Sequence, residues 1–196
     1  MFREMRRKGQ QISLKECAEI LSRAKTGVLG LHGDDGYPYT VPVNFVYTPG
    51  PGIEEECALE EGLQAKSVPT GSLGTIGFHC AKTGHKIDAI LRNEKVSFTV
   101  VAMDEIMPKE RTTKFCSVIV FGRAGILEGE ENLRRAANAV GAKYSAGYED
   151  LYKEETEDTI RRGTLCCVEI TIDHMTGKIG KELQKERNLA KKEQQS

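Results

Sequence analysis

His79, Cys80, Lys82, His85 and Lys86 fall within one short stretch around Gly84, and their types are those that hold anions and move protons. The run ahead of them ends in Phe78 and reads as a buried strand. The residues after Gly84 read as a short helix, so strand side chains, loop amides and basic groups converge where an anion can dock. Lys86 opens that helix and is the first candidate for a phosphate contact, with His85 and Lys82 able to assist. Gly84 has no Cβ, which permits close approach or positive φ. The plainer alternative is a solvated turn. His79 and Cys80 are successive strand residues and face opposite sides, so only one can face a given pocket. An imidazole whose ordinary pKa lies near neutrality can donate a hydrogen bond or a proton, although a hydrogen-bonded structural histidine fits the sequence as well. Zinc needs three or four converging ligands, and His79 and Cys80 diverge with no Cys-x-x-Cys to complete a set, so no metal is expected. Cys80 has no evident base beside it to make it a nucleophile.

These residues must be positioned by the elements around them. Ser13-Leu14-Lys15-Glu16 is a capping-box pattern, and apolar residues at 14, 17, 18, 21 and 24 predict a helix over 14–25. Residues 27–32 read as a strand, 33–36 as a turn and 37–47 as a return strand, with Pro38 and Pro42 implying an edge or a bulge. Residues 48–75 read as an exposed insertion rich in proline, glycine and glutamate. After the 78–96 stretch come strands near 96–102 and 114–127, the second bent at Gly122 or Gly125. Helices are expected over 130–144 and 149–162, and a last strand over 164–172. Residues 181–196 read as a charged, frayed helical tail on a single domain spanning 1–180. At least six strands without βαβ alternation, Gly-x-Gly-x-x-Gly or a Walker loop predict an antiparallel β-barrel, mainly β with peripheral helices.

The 196 residues are 39% hydrophobic and 29% charged, enough for one core. A net charge of −1 gives no reason to expect nucleic acid or an anionic membrane as partner, and the basic start Arg3-Arg6-Arg7-Lys8 has no interleaved aromatics. No apolar run approaches the roughly 20 residues that span a bilayer, and no secretory signal is evident, so a cytoplasmic location is expected. Six cysteines (17, 57, 80, 116, 166 and 167) are expected to be reduced, and a bond between adjacent Cys166 and Cys167 would distort a strand.

The 78–96 stretch resembles the FMN-binding split-barrel proteins related to pyridoxamine 5'-phosphate oxidase, in particular the 5-nitroimidazole reductase-like branch. The resemblance extends to residues 5–8, to 31–39 with Val41-Pro42-Val43-Asn44 after them, and to 117–124. It implies a split β-barrel, FMN as cofactor, and a homodimer whose flavin lies in the groove between subunits. It also implies that Pro42, Val43 and Asn44 line the isoalloxazine, that Cys80, Ala81, Gly84, His85 and Lys86 hold the cofactor, and that His79 lies near both flavin and substrate as the catalytic side chain. Arg123 is expected either in the dimer groove or in a surface ion pair. Residues 174–178 resemble a C-terminal loop of the family, which would bring Lys178 near the cofactor. The function implied is an FMN-dependent oxidoreductase acting on a small organic acceptor, nitroaromatics among the candidates. The chain lacks tryptophan and reads Gly84-His85-Lys86 where the oxidase proper has an Arg-Lys motif, which argues against pyridoxal phosphate synthesis. The alternative is a non-catalytic flavin- or haem-binding protein for storage or stress response, with His79 or His174 as axial ligand. The 48–75 insertion departs from the family, whose strands here are joined more tightly.

Overall fold

The computed structural model describes residues 2–53 and 73–193. Ser13 Oγ accepts from the Glu16 N–H at 3.2 Å, and the Ser13 N–H donates to the Glu16 carboxylate at 3.4 Å, so the predicted capping box starts α1 (Leu14–Arg23). The helix buries Cys17, Ala18 and Leu21 at helical spacing. Ahead of it β1 (Gln11–Ile12) is short, and after it come β2 (Thr26–His32) and β3 (Pro38–Asn44), joined by a 3-10 turn over Asp34–Gly36. The chain continues through β4 (Val46–Thr48), β5 (Thr75–Cys80), α2 (His85–Arg92), β6 (Lys95–Met107) and β7 (Thr112–Ile126). It ends in α3 (Glu130–Tyr144), α4 (Glu149–Arg161), β8 (Cys166–Ile179) and α5 (Lys181–Glu193).

All strand pairs are antiparallel, in the order β3-β2-β6-β7-β8-β5-β4, with β1 added against β8. The inner faces of the strands bury Leu29, Ile76, Phe78, Phe98, Val118, Val120, Ile170 and Ile172. Among the described residues the sheet curls without closing, because β3 pairs there with β2 alone and β4 with β5 alone. It is a split β-barrel, mainly β with peripheral helices. β3 is an edge strand, as its two prolines require. Asp173 is an extra residue in β8 opposite Gly122, where a Cβ would come within 2.3 Å of the Thr171 carbonyl. Gly122 thus marks the bulge, whereas Gly125 pairs regularly with Glu169.

Phe45 separates the two halves of the expected return strand 37–47. Its side chain is fully buried, edge-on to Phe98 with ring centroids 4.9 Å apart. Lying between β3 and β4, its backbone bonds to the last turn of α3 instead. The Phe45 N–H donates to Tyr144 Oη at 2.9 Å, and the Phe45 carbonyl accepts from Tyr144 Oη at 2.7 Å and from Lys143 Nζ at 2.9 Å. Lys143 also donates to the Ala24 carbonyl and lies 4.4 Å above the Phe45 ring, and burial lowers its pKa.

Three other expectations need correction. The last strand does not stop at 172 but runs to Ile179, so residues 174–178 form no loop: Lys178 pairs with Ser117 and Gln11, and Gly177 lets Ile12 and Cys17 approach. That continuation follows from β1 and β7 both needing a partner for their edges. The segment after 180 is not frayed where it is described, because α5 buries Leu183, Gln184 Nε2 donates to the Gly9 carbonyl at 2.6 Å, and Arg187 meets Glu16 at 2.7 Å. The strand expected over 96–102 extends to Met107, past a bulge at Ala102. The insertion expected over 48–75 lies largely outside the described residues, and its two ends, Thr48 and Thr75, pair with each other. None of the described cysteines forms a disulfide, and Cys57 lies outside the described residues. Among the described residues no helix is long and apolar enough to cross a membrane.

Replacing Tyr144 by Phe leaves the Phe45 N–H without its acceptor. Urea unfolding is expected to show a loss of about 1–3 kcal/mol for Tyr144→Phe. An unchanged midpoint would mean that the junction is held by packing alone.

Candidate functional site

The opening in the barrel lies between β3 and the far end of β5. β4 pairs with β5 so that Val46 lies opposite Gly77, which carries Asn44 toward His79. Both residues line one cavity of about 230 Å³ between the strands and the α3–α4 pair. Asn44 Oδ1 accepts from Thr26 Oγ1 at 3.1 Å, which directs its amide nitrogen elsewhere. His79 is exposed and Cys80 half-buried, and strand alternation sets them on opposite faces as expected. Val43 packs against the core on the inner face, and Pro42 lies on the exposed outer face.

Beyond Cys80, Ala81 and the rest of the turn are exposed up to Gly84, which caps α2 with φ 123° and ψ 167°. That combination is essentially glycine-only, and because a Cβ there would meet nothing within 4 Å, the requirement is conformational and not spatial. The Gly84 carbonyl takes the N–H groups of Ile87 and Asp88, starting a helix that buries Ile87, Ala89 and Ile90. Lys86 is half-buried in the first turn. Its ammonium lies 5.5 Å from the centroid of the Phe78 ring and interacts with the Cys80 thiol. Burial pushes that thiol up to about 11, against the pull of Lys86.

His85 stacks on Tyr39 with centroids 4.0 Å apart, and its Nε2 lies 3.4 Å from Asp34, which also holds Arg92 at 2.7 Å. It fastens α2 to the β2–β3 turn, where Asp35 takes a φ of 53°. The site therefore has an inner set, Val43, Cys80 and Lys86, and an outer set, Pro42, Asn44 and His79, separated by the pleat of β3 and β5.

Arg123 and Lys178 stand apart from both sets. Arg123 pairs with Glu94 at 2.9 Å and Asp173 at 3.2 Å, on the wall of a cavity of about 920 Å³ over the outer face of β2, β3, β6 and β7. Lys178 is at the other end of β8 from Cys166, the partner of Cys80, roughly 40 Å away at about 3.3 Å per residue. Its ammonium lies 5.3 Å from the Phe115 ring. His174 stacks on Phe2 at 4.6 Å, and burial lowers its pKa. Among the described residues no group of three or more His, Cys, Asp or Glu is placed to hold a metal ion.

Sequence reasoning missed the helical wall of the His79 cavity. Tyr152, Glu155, Thr156 and Thr159 of α4 and Gly141 of α3 line it, and Gly141 is the one position with a readable signal, a glycine inside a helical pattern. A Cβ at Gly141 would fall 2.4 Å from the Tyr152 ring, so glycine allows α3 and α4 to touch. Arg134 binds Glu157 with both arms of its guanidinium and holds the pair together.

A family model described as pyridoxamine 5'-phosphate oxidase matches residues 13–179. Among solved structures, a conserved hypothetical protein of Mycobacterium tuberculosis superposes with a TM-score of 0.66 at 20% identity, over 92% of this chain and 93% of that one. A structure named for 5-nitroimidazole antibiotic resistance, from Bacteroides thetaiotaomicron, gives 0.56 at 21% identity over 86% of each chain. A FAD and haem binding protein of Mycobacterium smegmatis gives 0.59 at 14% identity, over 88% of this chain and 74% of that one. A search of the curated proteins found no match.

Gly84→Ala tests the turn that introduces α2. It is expected to cost about 1–3 kcal/mol in urea unfolding, the strain of forcing a side chain into that backbone region. No loss would mean that the turn relaxes freely to another conformation.

Proposed function

The chain belongs to the pyridoxamine 5'-phosphate oxidase family, and from that premise we propose that it is an FMN-dependent oxidoreductase acting on a small organic acceptor. The observation that carries the reading is the open edge of β3 beside the end of β5, with Lys86 and the first amides of α2 at one end of the opening. An unpaired strand edge offers backbone donors and acceptors to the rim of a planar heteroaromatic ring, and a basic helix start offers charge and N–H groups to a phosphate. These residues fit a flavin mononucleotide.

In this reading Lys86 and the α2 amides hold the phosphate, while Cys80, Ala81 and Gly84 shape the turn around it. Pro42 and Val43 wall the ring, and the Asn44 amide nitrogen donates to its polar edge. FMN, when bound, supplies the two-electron chemistry. His79 meets the acceptor from the cavity under α3 and α4, and a ring nitrogen of its imidazole donates a hydrogen bond or a proton to the oxygen or nitrogen being reduced. Nitroaromatic compounds belong among the acceptors to be tried.

A second copy completes the groove. The outer sheet face exposes Val28, Val101, Ile119 and Phe121, an apolar surface suited to a symmetric partner, and Arg123 or Lys178 would reach a flavin only from that copy. The haem alternative has less support, since one of its two candidate axial ligands, His174, is covered by Phe2.

Titration with FMN and riboflavin tests the phosphate site. FMN is expected to bind more tightly, and Lys86→Glu to weaken FMN about tenfold or more while leaving riboflavin nearly unchanged. Equal affinity for the two ligands in the parent protein would overturn the assignment, and a Soret band in place of a flavin doublet would favour haem.

His79→Ala is expected to keep most FMN affinity while slowing reoxidation of the reduced flavin by an organic acceptor about tenfold or more. Unchanged kinetics in the folded, loaded variant would assign His79 to structure. Light scattering should report the dimer mass at micromolar concentration, and a flavin-loaded monomer would contradict the shared groove.

A further inference from the structure

Cys80 is the last residue of β5 and Cys166 the first of β8, and the two are directly opposite in the antiparallel register. Residues so placed have Cα atoms roughly 4.5–5.5 Å apart, inside the span of roughly 4.4–6.8 Å that a disulfide bridges. As a cross-strand pair they share one face of the sheet, and the Cys166 side chain is near enough to help raise the Cys80 thiol. Cys167 is excluded from the pair: it faces the opposite side of the sheet, its Sγ directed at the Leu133 carbonyl of α3 at 3.8 Å.

We propose that Cys80 and Cys166 form a reversible oxidation site, closing to a disulfide when the protein meets hydrogen peroxide or another hydroperoxide. Half-buried Cys80 is the residue the oxidant reaches, and Cys166, buried behind it, is the resolving thiol. In the first step the Cys80 thiolate sulfur attacks a peroxide oxygen. The O–O bond breaks, hydroxide leaves and becomes water by taking up the proton the Cys80 thiol released on ionising, and Cys80 becomes a sulfenic acid. In the second, the Cys166 sulfur attacks that of Cys80, the S–O bond breaks, a second water leaves with the Cys166 proton, and the S–S bond forms. Two thiols and one hydrogen peroxide give one disulfide and two waters.

The position in the ladder makes closure feasible and reversible. Opposed Cβ atoms on paired strands lie roughly 4.5–5.5 Å apart, more than the roughly 3.8 Å typical of a relaxed disulfide, so bonding must draw the strand ends together. Both residues are terminal in their strands, and residues 81–85 beyond Cys80 are exposed, so the movement is taken up by the turn. A bond formed under such strain is readily reduced by thiols. Burial holds the Cys80 thiol at about 11, so oxidation at pH 7 is slow and should accelerate about tenfold per pH unit up to pH 9, as the thiolate fraction grows.

The test uses the full chain, reduced, freed of reductant, exposed to hydrogen peroxide, alkylated and mapped by mass spectrometry without reduction. The expected product has lost two hydrogens and joins the peptide of Cys80 to that of Cys166 and Cys167, and dithiothreitol restores the thiols. The crosslink should persist in Cys167→Ser and vanish in both Cys80→Ser and Cys166→Ser. A crosslink that survives Cys166→Ser and disappears in Cys167→Ser would overturn the proposal. So would Cys80 oxidised to sulfinate with Cys166 still alkylated, or both thiols alkylated after excess peroxide.

Discussion

A buried peptide group must find a partner, and the fold turns on how one such group finds it. Phe45 cannot belong to β3 and β4 at once, because the two strands pair with different neighbours, yet its ring is sealed in the core. Its N–H and carbonyl are satisfied by Tyr144 and Lys143 from the end of α3. Those bonds let the chain step from one half of the sheet to the other without a covering strand. The opening at β3, the approach of Asn44 to His79 and the cavity beneath α3 and α4 all follow from that step.

The pleat then divides the opening into two chemically distinct sides. On the inner side Lys86 brings positive charge to a half-buried thiol and the α2 amides, an environment for anions. On the outer side His79 and Asn44 share a cavity lined, among the described residues, by hydroxyls, the Glu155 carboxylate and no lysine or arginine, an environment for polar molecules that are not anions. A cofactor anchored by its phosphate on the first side and a substrate held on the second would meet at the edge of β3, which separates them. Adjacent residues 79 and 80 thus face different sides, a division that follows from strand periodicity alone.

Much of this was readable before any coordinates. The Ser13–Glu16 capping box, the strand–turn–helix run from Phe78, the choice between close approach and positive φ at Gly84 and the edge or bulge implied by Pro38 and Pro42 each rest on a local rule. What was not readable depends on tertiary docking. Nothing local to Phe45 says that the strand must break there, since its partners lie about a hundred residues away in α3. The stack of His85 on Tyr39 and its contact with Asp34 likewise need the hairpin and α2 side by side. The extension of β8 to Ile179 was hidden by its mix of charged residues and threonine, which suits a strand only when both neighbours are in place.

The free edge of β3 has a consequence for solubility. An unpaired strand edge is a template on which any other chain can add a strand, and the opening cannot be covered if a ligand is to enter. The register pairs Pro42 with Val28 inside an unbroken ladder, and a residue without an N–H can occupy only the non-bonded type of pair. Its missing donor therefore falls on the open side, as does that of Pro38 four residues earlier. A foreign strand finds a ladder with alternate donors missing and cannot zip along it. A compact ligand needs only one or two of the remaining groups, so the same edge admits a small molecule and refuses a polypeptide.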